Sequence, residues 1–507
     1  MNSQDLQELK PLDDHNLRLA ANVMPEGWEN PKPRGRYNLV VIGGGTAGLV
    51  TAAGAAGLGA RVALVERKLL GGDCLNVGCV PSKALIRSAH AAAHVRDAGG
   101  YGIRVRGDVD IDFAAVMERM RRLRADISPH DSAARFTDLG IDVFLGQARF
   151  EKPGLVTVGD AELHYKTAVI ATGGRAAAPP IPGLDEVPYL TNESVFSLTE
   201  LPRRLGVIGA GPIGCELAQA FARFGSEVFL VEAEHGILPR EDPDAAAIIR
   251  TELERDGVQV LCCGRGLRLD ESSDGVHLYV DSHGGNYDIA VDQLLVAVGR
   301  RPNIEGLNLE AVGVAVDGIG VKVDDRLRTT NRQIYAAGDV CSSFKFTHTA
   351  DAMARIVLQN ALFFGRSKVS ALTIPWATYT TPEVAHVGLY EKEAKERGVA
   401  IDTFRVDMSG VDRAILEGDD QGFLKVHVKK GGSRIVGATV VARNAGDLIS
   451  EITLAMVAGV GLDTLARTIH PYPTQAEIIK KAGDAYNRTR LTPRVRWLFE
   501  KLLAWRR

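Results

Sequence analysis

The sequence predicts an α/β protein of more than one domain, and three observations support this fold class. At 507 residues, the chain exceeds the length at which one hydrophobic core stops growing. A hydrophobic content of 45% with 24% charged residues is typical of a water-soluble globular protein. The most informative observation is an internal repeat, in which the segment beginning at Val40 matches the segment beginning at Leu205.

Each copy of the repeat reads as a β-branched strand, a G-x-G-x-x-G turn, an alanine-rich helix and a second strand ending in an acid. In such a turn the second glycine lets the backbone approach a pyrophosphate, and the third packs helix against strand. One glycine turn also arises for packing reasons alone, but two in register predict two Rossmann-like dinucleotide-binding domains. The matching residues are 166 positions apart: Gly43, Gly45, Gly48, Gly59 and Glu66 correspond to Gly209, Gly211, Gly214, Gly225 and Glu232.

Two dinucleotide sites in one chain indicate one tightly bound flavin and one exchangeable nicotinamide, so we expect FAD and NAD(H) as cofactors. Glu66 and Glu232 each suit a ribose diol, and an acid repels a 2′-phosphate. The second site is therefore expected to take NADH rather than NADPH. Arg223 and Arg240 lie nearby in the sequence and leave NADPH as an alternative.

Cys74 and Cys79 follow the first repeat copy in a glycine-rich segment that leads into a predicted helix. Four residues separate them, which is close enough for a disulfide, and a helix N-terminus lowers a thiol pKa. The alternatives are two ordinary buried cysteines or half of a metal site. Because no second cysteine pair or clustered histidine stands at ligand spacing, we predict no metal centre.

Charge and terminal sequence exclude several classes of protein. The chain has 60 Lys+Arg against 63 Asp+Glu, which provides no basic field for nucleic acid. No apolar run is long enough to cross a bilayer. The first residues are polar where a signal peptide needs an apolar core, and six cysteines in this length do not form a secreted disulfide scaffold. We expect a cytoplasmic protein.

Four further segments make a family resemblance specific: AVIATGGR from Ala168, VAVGRRPN from Val296, YAAGDV from Tyr335 and TYTTPEVAHVG from Thr378. With the repeat and the cysteine pair, the chain from Tyr37 to Arg488 resembles the class I pyridine nucleotide-disulfide oxidoreductases. That family includes dihydrolipoamide dehydrogenase, glutathione reductase and mercuric reductase. The resemblance implies a flavoprotein oxidoreductase that passes electrons from NAD(P)H through FAD to a redox-active disulfide.

The same resemblance implies roles for individual residues. Cys79 corresponds to the thiol nearest the flavin and Cys74 to the thiol that exchanges with substrate. Lys83 and Glu216 correspond to a pair that meets beside the flavin and the nicotinamide. The residues implied for FAD are Gly43, Gly45, Gly48, Glu66, Thr172, Gly173 and Asp339, and those implied for NAD are Gly209, Gly211, Gly214, Glu232 and Gly299.

The domain organisation implied is an FAD domain, an inserted NAD(P) domain and a C-terminal α+β dimerisation domain, assembled as a homodimer. The N-terminal stretch, interrupted by Pro25, Pro31 and Pro33, predicts an arm outside the main fold. The predicted segments are an extension (1–35), the FAD domain (36–180 and 301–373), the NAD(P) domain (181–300), the dimerisation domain (374–488) and a basic amphipathic tail (489–507).

The chain departs from its relatives near the C-terminus. Dihydrolipoamide dehydrogenase and glutathione reductase carry a histidine base there, which the dimer partner supplies, followed by a glutamate. In HPYPTQAE, from His470, alignment on Pro-Thr places Tyr472 at the base position and Glu477 at the acid. A tyrosine, with a pKa near 10, is a poor base at neutral pH.

A tyrosine at this position is the pattern of mercuric reductase, yet the vicinal cysteine pair that ends those enzymes is missing from RVRWLFEKLLAWRR. Cys262 and Cys263 are vicinal but read as the end of a strand, and Cys215 and Cys341 read as packing residues. The leading hypothesis is a mercuric reductase-like enzyme whose acceptor is a thiophilic metal ion or a disulfide. Dihydrolipoamide dehydrogenase is the alternative, with His470 moving into the base position.

A third hypothesis, of another class, is a redox-sensing or membrane-docked electron donor that acts on a protein partner. The basic amphipathic tail motivates it, because such helices bind anionic membranes or partners. Most amphipathic helices pack against their own domain, and we expect the same here.

Overall fold

The computed structural model of the chain describes residues 9–233, 235–283 and 285–507. Its strands carry the β-branched and aliphatic runs of the sequence, as β-propensity predicts. In chain order they are β1 (Tyr37–Ile42), β2 (Val62–Glu66), β3 (Asp142–Leu145), β4 (Ala148–Lys152), β5 (Leu155–Val158), β6 (Ala161–Ile170), β7 (Gly174–Ala176), β8 (Arg204–Ile208), β9 (Glu227–Val231), β10 (Val258–Leu261), β11 (Arg265–Ser272), β12 (Gly275–Ser282), β13 (Gly285–Val291), β14 (Gln293–Val296), β15 (Arg300–Pro302), β16 (Ile334–Ala336), β17 (Pro375–Thr378), β18 (Glu383–Gly388), β19 (Ile401–Asp407), β20 (Phe423–Lys429) and β21 (Ile435–Ala442).

In the described part of the chain, the α-helices alternate with strands up to β2, four helices then precede β3, and the last four helices follow β21. They are α1 (Asp14–Val23), α2 (Thr46–Gly57), α3 (Gly72–Asn76), α4 (Cys79–Arg96), α5 (Phe113–Ile127), α6 (Ala133–Asp138), α7 (Pro212–Phe224), α8 (Pro243–Arg255), α9 (Thr347–Leu362), α10 (Glu391–Glu396), α11 (Asp412–Glu417), α12 (Ala445–Val457), α13 (Leu462–Leu465), α14 (Glu477–Arg490) and α15 (Pro493–Trp505). Among the described residues, no helix is both long and apolar enough to span a membrane.

The chain divides into two units. The first comprises the described residues up to 209 together with 220–231 and 264–372. Its main sheet has the order β3–β2–β1–β6–β5–β4, with β16 paired to β6. The pairings among β3, β2, β1 and β6 and between β6 and β16 are parallel.

Successive side chains of β1 enter two different cores. Leu39 and Val41 pack with α2 and α9 residues on one face, whereas Tyr37, Val40 and Ile42 pack on the other. Burial of both faces explains why the strand reads as a nearly continuous apolar run. The same unit contains parallel strands in the order β9–β8–β14, an antiparallel β11–β12–β13 sheet and a β15–β7 pair.

The second unit comprises residues 210–219, 232–263 and 373–507. Its sheet is antiparallel, with the order β17–β18–β21–β20–β19. Apolar residues of α12, α13 and α14 share one core with the sheet. The parallel and antiparallel sheets with their helices confirm the predicted α/β class with a C-terminal α+β domain.

The N-terminal stretch differs from the expectation of an arm outside the fold. Leu19, Ala20 and Val23 of α1 are buried in the same core as α2 and α9. The helix starts well, because the Asp13 side chain accepts a hydrogen bond from the Asn16 backbone N–H. The three prolines all follow the helix and so do not interrupt it, and its apolar residues pack into the core. The first eight residues of the predicted extension lie outside the described residues.

Candidate active site

The first glycine turn is packed so closely that side chains would not fit. Gly43 has φ +112°, and a Cβ there would lie 2.3 Å from the carbonyl oxygen of Ala171. A Cβ on Gly48 would lie 1.7 Å from the carbonyl oxygen of Gly43. Gly45 is the residue that precedes α2, so its backbone stands at a helix N-terminus. These are the features that bring backbone N–H groups close to an anionic diphosphate.

Glu66, at the end of β2, is held against this turn. Its carboxylate accepts hydrogen bonds from the backbone N–H groups of Gly44 (2.6 Å) and Lys68 (2.7 Å). Burial raises the pKa of Glu66. An open cleft lies beside it, lined by Ile42, Gly43, Val65, Glu66, Arg67, Gly146, Gln147, Ala148, Thr172, Asn303, Glu305 and Leu307. A glycine turn, a carboxylate and a cleft together fit an adenine dinucleotide.

The other residues assigned to FAD lie in the same unit. Thr172 donates a hydrogen bond from Oγ1 to the Asn303 carbonyl (2.6 Å), and Gly173 has φ +66°. Asp339 follows β16, and its carboxylate lies 3.4 Å from the Arg300 guanidinium. Burial raises the pKa of Asp339. Arg300 also forms an ion pair with Asp73 on α3, which joins the Asp339 region to the cysteine segment.

The second glycine turn reproduces one hydrogen bond of the first. Glu232 accepts from the Ala210 backbone N–H at 2.8 Å, and Ala210 stands at the position equivalent to Gly44. A Cβ on Gly211 would have no other atom of the described residues within 4 Å, so the space beside this turn is open. Gly209 (φ +101°) and Gly299 (φ +70°) are turn residues, and Gly214 lies on α7.

Cys74 and Cys79 lie on consecutive helices, with Cys74 on α3 and Cys79 as the first residue of α4. The Cys79 Sγ is 3.5 Å from Thr347 Oγ1. A hydrogen bond to Cys79, together with burial, raises the pKa of Cys74 well above its usual range. Because the N-terminus of a helix stabilises an anion, Cys79 is the thiol placed to ionise first, with Cys74 donating a proton to it.

The residues predicted to act beside the cysteines lie on helices. Lys83 is half-buried on α4, one turn after Cys79. Glu216 is buried on α7, where its Oε1 accepts a hydrogen bond of 2.8 Å from the Tyr379 backbone N–H. Their meeting beside a flavin stays a prediction.

The C-terminal base position is occupied by an exposed tyrosine. Tyr472 is 71% exposed and donates its hydroxyl proton to Asp412 at 2.9 Å. This hydrogen bond raises the pKa of Tyr472. Glu477 begins α14, and its buried Oε2 has no hydrogen-bond partner among the described residues. The His470 side chain is 5% exposed and lies 3.0 Å from the Glu451 carboxylate, which holds it in place.

The remaining cysteines were predicted to be packing residues. Cys215 is buried and Cys341, which is partly buried, packs against a hydrophobic core, so both fit this prediction. Cys262 is also buried. Cys263 is different: it has φ +57°, and its sulfur lies 3.1 Å from Nδ1 of His235.

Sequence reasoning missed several residues around the cysteine segment. Arg124 of α5 is 4% exposed and donates to the Asn76 carbonyl (2.7 Å), between the two cysteines, and to Asn16 Oδ1 of α1 (2.6 Å). Thr347 stands beside Cys79, and Asp131 contributes to the raised pKa of Cys74. These contacts join positions far apart in the chain, and no local motif marks them.

Comparisons with known proteins agree with this geometry and confirm the resemblance inferred from the motifs. Residues 37–354 match the family model "Pyridine nucleotide-disulphide oxidoreductase", and residues 374–483 match the dimerisation domain of that family. A mercuric reductase from Bacillus cereus is 36% identical over 88% of this chain and 71% of its own length. A dihydrolipoyl dehydrogenase from Thermus scotoductus is 34% identical over 89% of this chain and 98% of its own length.

A solved structure shows the same fold. The Cu(II) complex of RclA, an HOCl-induced flavoprotein disulfide reductase from Escherichia coli, aligns with a TM-score of 0.79 and 31% identity. The alignment covers 89% of this chain and all of that one. By sequence and by fold, the chain belongs to the FAD-dependent pyridine nucleotide-disulphide oxidoreductase family and carries its dimerisation domain.

Proposed function

We propose that the protein oxidises NADH and passes the electrons, through FAD and the Cys74/Cys79 pair, to a thiophilic metal ion or a disulfide. The observation that carries this proposal is the arrangement of the two thiols. Cys79 starts a helix and Cys74 is hydrogen-bonded to it, so the reduced pair holds one stabilised thiolate and one proton. A bound flavin would supply two-electron transfer between the nicotinamide and this pair.

The chain's own residues account for exchange with a disulfide acceptor. Cys74 first passes its proton to Cys79 and attacks one acceptor sulfur as the thiolate, and the leaving thiolate takes that proton back from Cys79. The Cys79 thiolate then attacks Cys74, which closes the Cys74–Cys79 disulfide and releases the second half of the acceptor as a thiolate. Two electrons pass to the acceptor. The reduced pair can equally bind a soft metal ion, since such an ion prefers sulfur ligands.

Tyr472 supports a mercuric reductase-like acceptor over dihydrolipoamide. Its hydroxyl is committed to Asp412 with a raised pKa, so it is a poor proton acceptor for a dithiol. Movement of His470 into the base position would break its contact with Glu451. Mercuric reductases are among the relatives, and the related E. coli reductase was solved with Cu(II).

The preference for NADH over NADPH is part of the proposal. Glu232 presents a carboxylate at the second glycine turn, where it would bind a ribose diol and repel a 2′-phosphate. The FAD residues proposed are those of the first turn, with Thr172, Gly173 and Asp339, and Lys83 and Glu216 are proposed to flank the reacting rings.

The test is steady-state NADH oxidation by the holoenzyme with Hg²⁺ plus thiol, Cu²⁺, glutathione disulfide and lipoamide as acceptors. We expect turnover with a metal ion or with glutathione disulfide and slow turnover with lipoamide. Cys74→Ser should abolish turnover while NADH still bleaches the flavin absorbance. Cys263→Ser, which removes a cysteine outside the pair, is the matched control and should retain activity.

Two results would contradict the proposal. One is turnover with lipoamide that exceeds turnover with every other acceptor. The other is a Cys74→Ser variant as active as Cys263→Ser. Tyr472→His should raise lipoamide turnover if the base position limits it.

A further inference from the structure

Helix α15 leaves an apolar face uncovered. The structure describes all of its residues, Pro493–Trp505, and buries none of them. Leu498 and Leu503 are each 57% exposed, and Trp505 is 82% exposed. At 3.6 residues per turn, one side of the helix carries an apolar stripe. The residues of this stripe are Val495, Leu498, Phe499, Leu502 and Trp505.

Basic residues surround the apolar stripe. Residues 493–507 contain five basic side chains, Arg494, Arg496, Lys501, Arg506 and Arg507, and one acid, Glu500, which gives a net charge of +4. Glu500 is paired with Arg496 at 3.4 Å. Arg488 and Arg490, in the last turn of α14, extend the basic region toward the preceding helix. The whole chain carries −3, so positive charge is concentrated at this helix.

We infer that α15 lies in the plane of an anionic lipid bilayer, with the apolar stripe among the acyl chains and the basic residues among the headgroups. Charge complementarity selects this occupant. A second copy of α15 placed on the first would bring the same +4 charge against it, whereas an anionic surface attracts every Lys and Arg that lies near it. Trp505, at the end of the stripe, adds an aromatic side chain of the kind that favours the membrane interface.

The helix has the dimensions of an interfacial segment. Thirteen residues extend about 20 Å, which is too short to span a bilayer but long enough to lie along its surface. Thr492 accepts a hydrogen bond from the Val495 backbone N–H and Pro493 occupies the first turn, so the helix has its own N-terminal start signal. This inference does not depend on the identity of the electron acceptor.

The test is co-sedimentation of the full-length holoenzyme with phosphatidylcholine vesicles that contain or lack phosphatidylglycerol, followed by the flavin absorbance. Leu502→Glu and Ala504→Glu form a matched pair, because each adds one negative charge to α15 but only Leu502 belongs to the apolar stripe. We expect wild-type binding only with phosphatidylglycerol, and weaker binding at high salt. Leu502→Glu should bind at least about tenfold more weakly than Ala504→Glu, since it also removes a leucine that would insert among the acyl chains.

Both variants alter exposed residues and should keep their flavin and their NADH oxidation. The inference is overturned if the wild type fails to bind phosphatidylglycerol vesicles at low salt, or if the two variants bind equally. It is also overturned if Leu502→Glu changes the oligomeric state while vesicle binding stays at the wild-type level, because a second copy would then cover the stripe.

Discussion

Glu66 and Glu232 stand at equivalent positions of the two repeat copies and accept the same hydrogen bond, from Gly44 and Ala210 respectively. Each carboxylate is therefore fixed at its glycine turn through one oxygen, and the other oxygen of Glu66 also accepts from the Lys68 backbone N–H. The repeat thus predicts that substitution of either glutamate weakens the binding of a ligand, which is FAD for Glu66 and NADH for Glu232.

The matched substitutions Glu66→Gln and Glu232→Gln separate the two ligands. A glutamine keeps one oxygen for the backbone N–H but loses the charge that strengthens a hydrogen bond to a ribose hydroxyl. We expect Glu66→Gln to weaken FAD retention and Glu232→Gln to raise the KM for NADH, each by roughly tenfold or more. The loss of flavin on dialysis measures FAD retention, and initial-rate kinetics measure the KM for NADH.

The kcat/KM ratio of NADPH to NADH should rise in Glu232→Gln and stay unchanged in Glu66→Gln. If both substitutions altered the coenzyme ratio equally, the assignment of the second turn to the nicotinamide dinucleotide would be wrong.

Cys74 and Cys79 should titrate in a fixed order. The hydrogen bond that Cys74 donates to Cys79 is the largest cause of the raised pKa of Cys74, so its removal lowers that pKa. In the NADH-reduced enzyme, we expect the alkylation of Cys74 by iodoacetamide to require high pH. In Cys79→Ser, the alkylation should begin at lower pH. Mass spectrometry of the labelled peptide across pH gives both profiles, and identical profiles would contradict the assignment.

At the scale of elements, α1 stabilises the cysteine segment through Arg124. The guanidinium connects Asn16 of α1 to the Asn76 carbonyl. Burial lowers the pKa of Arg124 to about 10, and the Arg124 Nε has no hydrogen-bond partner among the described residues. Loss of the Asn16 oxygen would leave this buried cation even less satisfied.

We therefore expect Asn16→Ala to reduce the free energy of unfolding by about 1.5–3 kcal/mol, as for a hydrogen bond to a charged group. Asn22→Ala is the control on the same helix, since Asn22 donates to the neutral hydroxyl of Ser128 at 2.8 Å. Its expected loss is about 0.5–1.5 kcal/mol. Urea unfolding of the holoenzyme compares the two variants, and a larger loss in Asn22→Ala would refute the role given to Arg124.

The antiparallel sheet of the second unit contains a histidine that is neutral when folded. His386 of β18 is fully buried, stacks on Tyr390 with ring centroids 3.6 Å apart, and lies 2.8 Å from Thr439 Oγ1. Burial lowers the pKa of His386 to about 3. Because the unfolded chain binds this proton near pH 6.5 and the folded chain does not, the contribution is complete above pH 6.5 and declines as the pH falls toward 3.

Thermal unfolding between pH 7 and pH 4 should detect this histidine. The wild type should lose about 1.4 kcal/mol per pH unit more than His386→Gln does. His164→Gln, at a side chain that is 55% exposed, is the control and should follow the wild type. If the stability of His386→Gln fell with pH as steeply as that of the wild type, His386 would not be the source of this pH dependence.

The sequence predicted the elements marked by local patterns and missed those that depend on distant partners. The glycine turns and the acids that follow them are local, and each lies where its spacing indicates. The stretch that contains α1 was predicted as an arm because it is polar and interrupted by prolines, whereas its burial depends on α5, about 100 residues away. The tail was expected to pack on its own domain, but its stripe is exposed, because hydrophobic periodicity shows that a face exists and not what covers it.

At the scale of the whole molecule, the dimerisation domain predicts assembly from two copies. Size-exclusion chromatography with light scattering should give twice the 54.5 kDa of one chain. The Leu502→Glu variant should give the same mass, because α15 lies beyond the residues matched by the dimerisation model. A monomer that oxidises NADH at the full rate would contradict a requirement for the partner.

The burial of α1 has a practical consequence for work with shortened versions of this protein. A fragment cut at residue 37, where the family match begins, would lose the Asp13 carboxylate beside Arg121 and the Asn16 amide beside Arg124. The guanidinium groups of Arg121 and Arg124 would then have lost these partners inside the molecule. The apolar surface that Leu19 and Val23 cover would also be uncovered. Expression designs therefore need a boundary upstream of α1. A fragment with an affinity tag attached directly to Tyr37 would be an enzyme that lacks the contacts made by α1.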